Sequence, residues 1–231
     1  MQKHDTPEMF SEIAPTYDLL NHVLSLNVDR LWRRDLIRLA EVPDGGCVLD
    51  ACTGTADVAI GFAARPGGRW VFGVDLSRGM LRHGAEKIEK KKLNGRVRLV
   101  ESDVLELPFR SESFDAVTIA FGLRNLPDYR KGVAEMARVL KPGGKLVVLE
   151  FCPPAGGVRL RAYNIYLRRV LPFVGGLVSG SREAYRYLAS SIGDFLSRDE
   201  VHDLVRSAGL ENFQAKKMTG GIAYIYIGEK V

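Results

Sequence analysis

The sequence predicts a doubly wound α/β fold, with a mostly parallel seven-stranded sheet, helices on both faces and an antiparallel pair at the C-terminal edge. From residue 46 onward, short apolar runs alternate with amphipathic stretches of helix length. Parallel strands need crossovers of that kind. The edge pair rests on a second observation: the last two strand-like runs are separated only by "TGG", which is short enough to enforce an antiparallel return.

The elements follow in order. "CVLDA" is a buried-strand run, followed by a helix from Asp57 to Ala64. "RWVFGVD" is the second strand, after which Ser77 caps a helix carrying Met80, Leu81 and Ile88. "RVRLVES" is the third strand and "FDAVTIAFGL" the fourth. Asp128 caps a helix with Val133, Met136, Ala137 and Leu140 on its apolar face; "KPGG" stops it, and "KLVVLEF" is the fifth strand. Ser197 and Glu200 form a capping box for a helix burying Val201, Leu204, Val205 and Ala208, ended by Gly209. "ENFQAKKM" and "IAYIYIG" complete the sheet. A single domain over 1–231 is expected, with residues 1–40 a helical cap across one sheet end and 151–195 a helical insertion on the substrate side.

Of 231 residues, 46% are hydrophobic and 26% charged, as in an ordinary soluble domain. No stretch reaches the roughly 20 apolar residues that span a bilayer, and residues 1–15 lack the apolar core of a signal peptide, so a cytoplasmic protein is expected. Cys47, Cys52 and Cys152 are odd in number and lie in apolar runs, and the four histidines show no ligand spacing. Neither a disulfide framework nor a metal site is expected.

In an open α/β sheet, ligands bind beyond the carboxyl ends of the strands, near the reversal in strand order. Three acids fall at such ends, Asp50, Asp75 and Asp103. Asp75 stands where an acid accepts both hydroxyls of a ribose. A dinucleotide site would add G-x-G-x-x-G to receive a pyrophosphate, but here the turn is Thr53-Gly54-Thr55-Ala56-Asp57, with an acid just inside the helix. Phosphate is repelled by that acid, whereas a cation carrying a ribose and an amino group is attracted. S-Adenosylmethionine is such a ligand, a sulfonium with two free ribose hydroxyls and an adenine. Gly54 and Thr55 then form the turn, Asp75 takes the ribose, and Asp103 with Val104 takes the adenine. Taken singly, each acid is as well explained as a cap or turn former.

The sequence resembles the ubiquinone/menaquinone biosynthesis C-methyltransferases. "FSEIAPTYDLLNHVLSLNVDRLWRR" is similar to that family's N-terminal Tyr-Asp-x-Met-Asn-x-x-x-Ser-x-Gly-x-His-x-x-Trp motif, and "ARVLKPGGKLVVLEF" to its second signature. "FGLRN" and "YRYLASSIGDF" also fit the pattern, so the likeness spans nearly the whole chain. The chain departs from the pattern at Leu20, Asn27 and Asp29, where the family has Met, Gly and His, and at Ala56, where it has a second glycine. Ala120 stands where many members have a serine that touches the cofactor. The resemblance implies methylation of a ring carbon of a reduced polyprenyl quinone precursor, either a demethylmenaquinol or the corresponding benzoquinol.

That chemistry has definite requirements. A ring carbon is a poor nucleophile until an adjacent hydroxyl loses its proton, so the site needs a base or water relay and a group that stabilises phenolate charge. Arg124, in "FGLRN", suits the phenolate, and Asn125 can orient a hydroxyl. Tyr17 can cover the methyl donor or bond the substrate. Asp57 can hold the amino group or join a water relay. A surface arginine, a packing tyrosine and a helix-start acid are the plain alternatives for Arg124, Tyr17 and Asp57.

The net charge of +5 has two sources. "KIEKKKLNGRVR", residues 87–98, ends a helix and enters strand three, away from the cofactor, as a solvated helix terminus. From Phe151 to Arg182 there is no acid, but Arg159, Arg161, Arg168, Arg169 and Arg182 alternate with Leu160, Tyr163, Leu167, Val170 and Val174 at helical spacing. A core helix with snorkelling arginines fits this pattern. So does a surface resting on a membrane, and a bilayer-dissolved polyprenyl quinol favours transient contact with the inner face of the membrane. A methyltransferase for RNA or another soluble metabolite would share the cofactor site, but RNA calls for a basic groove with stacking aromatics on the cleft side, and the 87–98 run lies away from it. No nucleic-acid partner is expected. A homodimer is left open. A non-catalytic binding module is disfavoured by the intact acids together with Arg124 and Asn125.

Overall fold

The computed structural model of the chain describes residues 6–25, 27–152 and 182–231. Its seven strands are β1 (Cys47–Ala51), β2 (Trp70–Asp75), β3 (Val97–Glu101), β4 (Phe114–Ala120), β5 (Leu140–Phe151), β6 (Leu210–Met218) and β7 (Ala223–Lys230). They lie in the order β3-β2-β1-β4-β5-β7-β6. β1 to β5 pair in parallel, and β7 runs antiparallel to both β5 and β6. The order reverses between β1 and β4, so the ligand crevice of such a sheet opens beyond Ala51 and Ala120.

Alternation within each strand sends side chains into two cores. Val48, Val71, Ala116, Val147 and Ile225 pack on one face. There they meet Leu36 of α2 (Val28–Leu39), Phe62 of α3 (Asp57–Ala63) and Ile88 of α4 (Arg78–Lys90). Leu49, Val117, Ile119, Leu146 and Tyr226 face the other side, against Met136 of α5 (Tyr129–Val139) and Leu204 of α7 (Arg198–Ser207). The caps expected of Ser77, Asp128 and Ser197 are all formed, the last as a full capping box.

Two boundaries differ from expectation. β4 stops at Ala120 because Phe121 takes a left-handed φ of 59° and Leu123–Asn125 coil into a single 3-10 turn. Leu140, expected on the helix face of α5, is instead the first residue of β5 and pairs with Phe114, after which the "KPGG" segment shifts the register.

α1 (Thr6–Leu24) lies against the start of α4. The hydroxyls of Ser11 and Ser77 are 2.8 Å apart, and the Gly79 amide donates to Ser11 Oγ. Met9, Ile13 and Ala14 of α1 bury with Met80 and with Ile192 of α6 (Arg182–Gly193), forming a small third core above the sheet end. Trp32 Nε1 donates to Thr219 Oγ1 at 2.9 Å, tying α2 to the turn between β6 and β7. The basic amphipathic stretch expected over 151–182 lies outside the described residues except at its two ends.

Candidate active site

The turn after β1 combines two left-handed residues, Gly54 at φ 55° and Ala56 at φ 65°. Glycine suits the first by lacking the Cβ that penalises this region, and no heavy atom lies within 4 Å of where a Cβ would stand. The turn therefore presents open backbone to the crevice. Its Gly54 amide donates to Asp75 Oδ2 at 2.8 Å, while Asp75 Oδ1 accepts from the Ser77 amide at 2.9 Å. Asp75 is thus held at the end of β2 by two backbone donors, half-buried, its carboxyl raised by burial against those bonds.

At the end of β3, Asp103 Oδ1 accepts from the Leu105 amide, capping the 3-10 turn Val104–Glu106. Val104 is buried, whereas Asp103 and Ala120 are half-buried. Asp50 has a different part. It lies inside β1 and accepts from Thr53 Oγ1 at 2.6 Å and Thr118 Oγ1 at 2.8 Å. Burial pushes its carboxyl up to about 6, against those two bonds and the nearby Arg33 charge.

A raised carboxyl has a thermodynamic consequence with a definite sign. Between the ordinary value of about 3.9 and about 6, the folded chain holds the proton and the unfolded chain does not, so stability falls as pH rises through that window. Two units correspond to about 3 kcal/mol. Asp50→Asn should therefore gain stability over the parent by about that amount between pH 4 and pH 7 in urea melts. Parallel curves for the two proteins would contradict this.

The acids converge on one thiol. Cys52, at φ 50°, is pushed well up by burial and by the carboxylates of Asp75, Asp50, Asp103 and Glu150. Gly122 packs on it so closely that an added Cβ would stand 2.5 Å from Cys52 Cβ. The β1 turn and the "FGLRN" turn are therefore one assembly.

On the β4 side, Arg124 is 3% exposed. Its Nη1 donates to Phe121 O at 2.6 Å and Glu150 Oε1 at 2.7 Å, and its Nε to Ser191 Oγ at 3.3 Å. No hydrogen bond to a described residue occupies Nη2. Asn125 Oδ1 accepts from Tyr187 OH at 3.2 Å, bringing α6 to the same turn. Phe121 and Phe151 stack at 4.5 Å, with the Arg33 guanidinium 5.3 Å from the first ring and that of Arg124 5.6 Å from the second.

The remaining candidates meet on α1. Tyr17 is half-buried, edge-on to Phe10 in the third core. Thr55 Oγ1 donates to Asp18 Oδ1 at 2.5 Å. Lys87 Nζ bridges Asp18 at 2.6 Å, Thr55 at 3.1 Å and Asp57 at 2.5 Å. Lys87 thus corrects the expectation that the whole 87–98 run is a solvated terminus: its long stem carries the ammonium back to the β1 turn, where the two carboxylates outweigh hydration. Asp18, Arg33, Lys87 and Glu150 escape a sequence reading. Glu150 alone leaves a signal, since an acid inside the apolar "KLVVLEF" must have a partner.

A cleft of about 1140 Å³ opens between α2, α3 and α4, lined by Arg33, Asp57, Lys87 and Gly61 among others. Among the described residues there is no His/Cys/Asp/Glu cluster able to hold a metal ion. An open turn, a doubly held acid at the end of β2 and a half-buried acid at the end of β3 suit an adenosyl sulfonium.

Residues 1–230 match the model of the ubiE/COQ5 methyltransferase family. The chain is 46% identical over 222 residues to a demethylmenaquinone methyltransferase of Thermus thermophilus, covering 96% of this chain and 100% of that one. It is 45% identical to the ubiquinone/menaquinone biosynthesis C-methyltransferase UbiE of Geobacter sulfurreducens, covering 96% and 87%. A putative S-adenosylmethionine-dependent methyltransferase from Methanococcus maripaludis superposes with a TM-score of 0.67 at 17% identity, over 96% of this chain and 93% of that one, a likeness of fold. With sheet order, strand-end acids and full-length likeness in agreement, the chain belongs to the ubiE/COQ5 methyltransferase family.

Proposed function

We propose that the protein methylates a ring carbon of a reduced polyprenyl quinone precursor, with S-adenosylmethionine as methyl donor. The observation that carries this reading is the end-to-end likeness to a demethylmenaquinone methyltransferase. When bound, S-adenosylmethionine supplies an electrophilic methyl carbon on sulfur. Gly54 and Thr55 line its turn, Asp75 accepts from the ribose, and Asp103, Val104 and Ala120 receive the adenine side.

Arg124 and Asn125 serve the acceptor. Arg124 places a permanent cation at the carboxyl end of β4, where it favours the phenolate over the phenol, directly or through water. Glu150 fixes that cation in place, and Asn125 orients the ring hydroxyl. Asp57 has its charge matched by Lys87. Its part is to hold the turn against α1. Tyr17 and the third core close above the sheet end and exclude water from the reacting pair. The direct test is methyl transfer from labelled cofactor to demethylnaphthoquinol and to the benzoquinol precursor. Label on a ring carbon of either supports the reading; label on oxygen, or on neither ring, removes it.

No helix among the described residues is long and apolar enough to cross a membrane. For a bilayer-dissolved substrate we place the chain at the inner membrane face, held transiently by the basic stretch 151–182. Binding to anionic vesicles should weaken as salt rises, and changing Arg161, Arg168 and Arg169 together to Gln should reduce it. Flotation of the triple variant equal to the parent would place membrane contact elsewhere.

A further inference from the structure

Arg33, on α2, carries a charge that protein groups satisfy only in part. Its side chain is 13% exposed. Nε and Nη1 are buried and have no hydrogen-bond partner among the described residues. The nearest carboxylate oxygens are Asp29 Oδ2, 3.8 Å from Nη1, and Asp57 Oδ2, 3.9 Å from Nε. Both lie beyond hydrogen-bond reach. Buried donors left unmade are costly, and more so on a charged group. A guanidinium in this state offers unmet donors to an anion.

Its position says which anion. The guanidinium stands over Phe121, the first residue beyond β4, and its charge is felt by Asp50 within β1. It therefore occupies the reversal in strand order, between the β1 turn and the "FGLRN" turn. Asp75 and Asp103, at the ends of β2 and β3, fix the adenosine on the other side. A ligand anchored there and reaching toward β4 brings its amino-acid end to Arg33, and that end carries a carboxylate. Planar bidentate pairing of guanidinium with carboxylate is among the strong charge-assisted hydrogen-bond geometries.

We propose that Arg33 binds the carboxylate of the cofactor's amino-acid tail. The assignment rests on the cofactor reading above. Arg33 would thereby discriminate the intact amino acid from adenosyl compounds lacking the carboxylate. Phe121 supports the guanidinium from one side, while Asp29 and Asp57 lie near it without filling its donors.

The test is calorimetric and needs no turnover. Purified wild type, Arg33→Gln, Arg33→Lys and Asp75→Ala are titrated with S-adenosylmethionine and with decarboxylated S-adenosylmethionine. Wild type should prefer the carboxylated ligand by about ten- to a hundredfold. Arg33→Gln should lose that preference, weakening for S-adenosylmethionine alone. Arg33→Lys, which keeps the charge and loses the fork, should fall between. Asp75→Ala should weaken both ligands together and keep the preference. If Arg33→Gln retains the preference, or weakens for both ligands equally, Arg33 is a packing and ion-pair residue and the proposal falls. A wild type that binds neither ligand overturns the cofactor reading along with it. Matched circular dichroism and melting curves exclude loss of fold as the cause.

Discussion

Glu150→Ala is expected to remove about 3–5 kcal/mol of stability, because it strands the Arg124 guanidinium in a site where both partners are almost wholly buried. For a chain of this size that is a fall in Tm of about 6–20 °C. The carboxylate accepts from Arg124 Nη1, from the Arg124 amide and from the Phe151 amide. One substitution therefore unmakes three bonds across the ends of β4 and β5. Glu150→Gln keeps an acceptor of the same shape and should cost less. Thermal melts of the two variants decide the matter, and an alanine variant within about 1 kcal/mol of the parent would show the pair to be solvated.

Arg124→Ala should be as costly to turnover as Glu150→Ala is to stability, with kcat lowered about 10²–10³-fold and cofactor affinity nearly unchanged. Phenolate charge develops only on the way to the transition state, so its stabilisation is felt in kcat. A single variant leaves Glu150 unpaired and confounds the two effects. Replacing both partners, as in Arg124→Met with Glu150→Met, removes the stranded charge and should restore most of the stability. Restored folding with kcat still depressed assigns Arg124 to the chemistry. Recovery of both would make the pair a structural device only.

The strands, helix caps and edge hairpin were legible in the sequence because each depends on residues a few positions apart. The strand-end acids were legible for the same reason, each standing at or just past the end of a strand-like run. The partners of those groups were not. Arg124 meets Glu150 across 26 residues and Lys87 meets Asp18 across 69, and neither pairing follows until the sheet order is known. Asp50 illustrates the cost: as a strand-end acid it ranks with Asp75, yet two threonine hydroxyls, Thr53 from the turn after β1 and Thr118 from β4, occupy both its oxygens. Lys87 shows the converse, a residue inside an ordinary basic run that its stem length carries into the site.

The claim that phenolate formation drives the reaction is tested most directly by the redox state of the acceptor. One naphthoquinone precursor, held anaerobically with and without reductant, is offered to the enzyme with labelled cofactor, and methylated ring is quantified. The account predicts transfer to the quinol and none above background to the quinone, which has no hydroxyl to ionise. Equal transfer to both would contradict it.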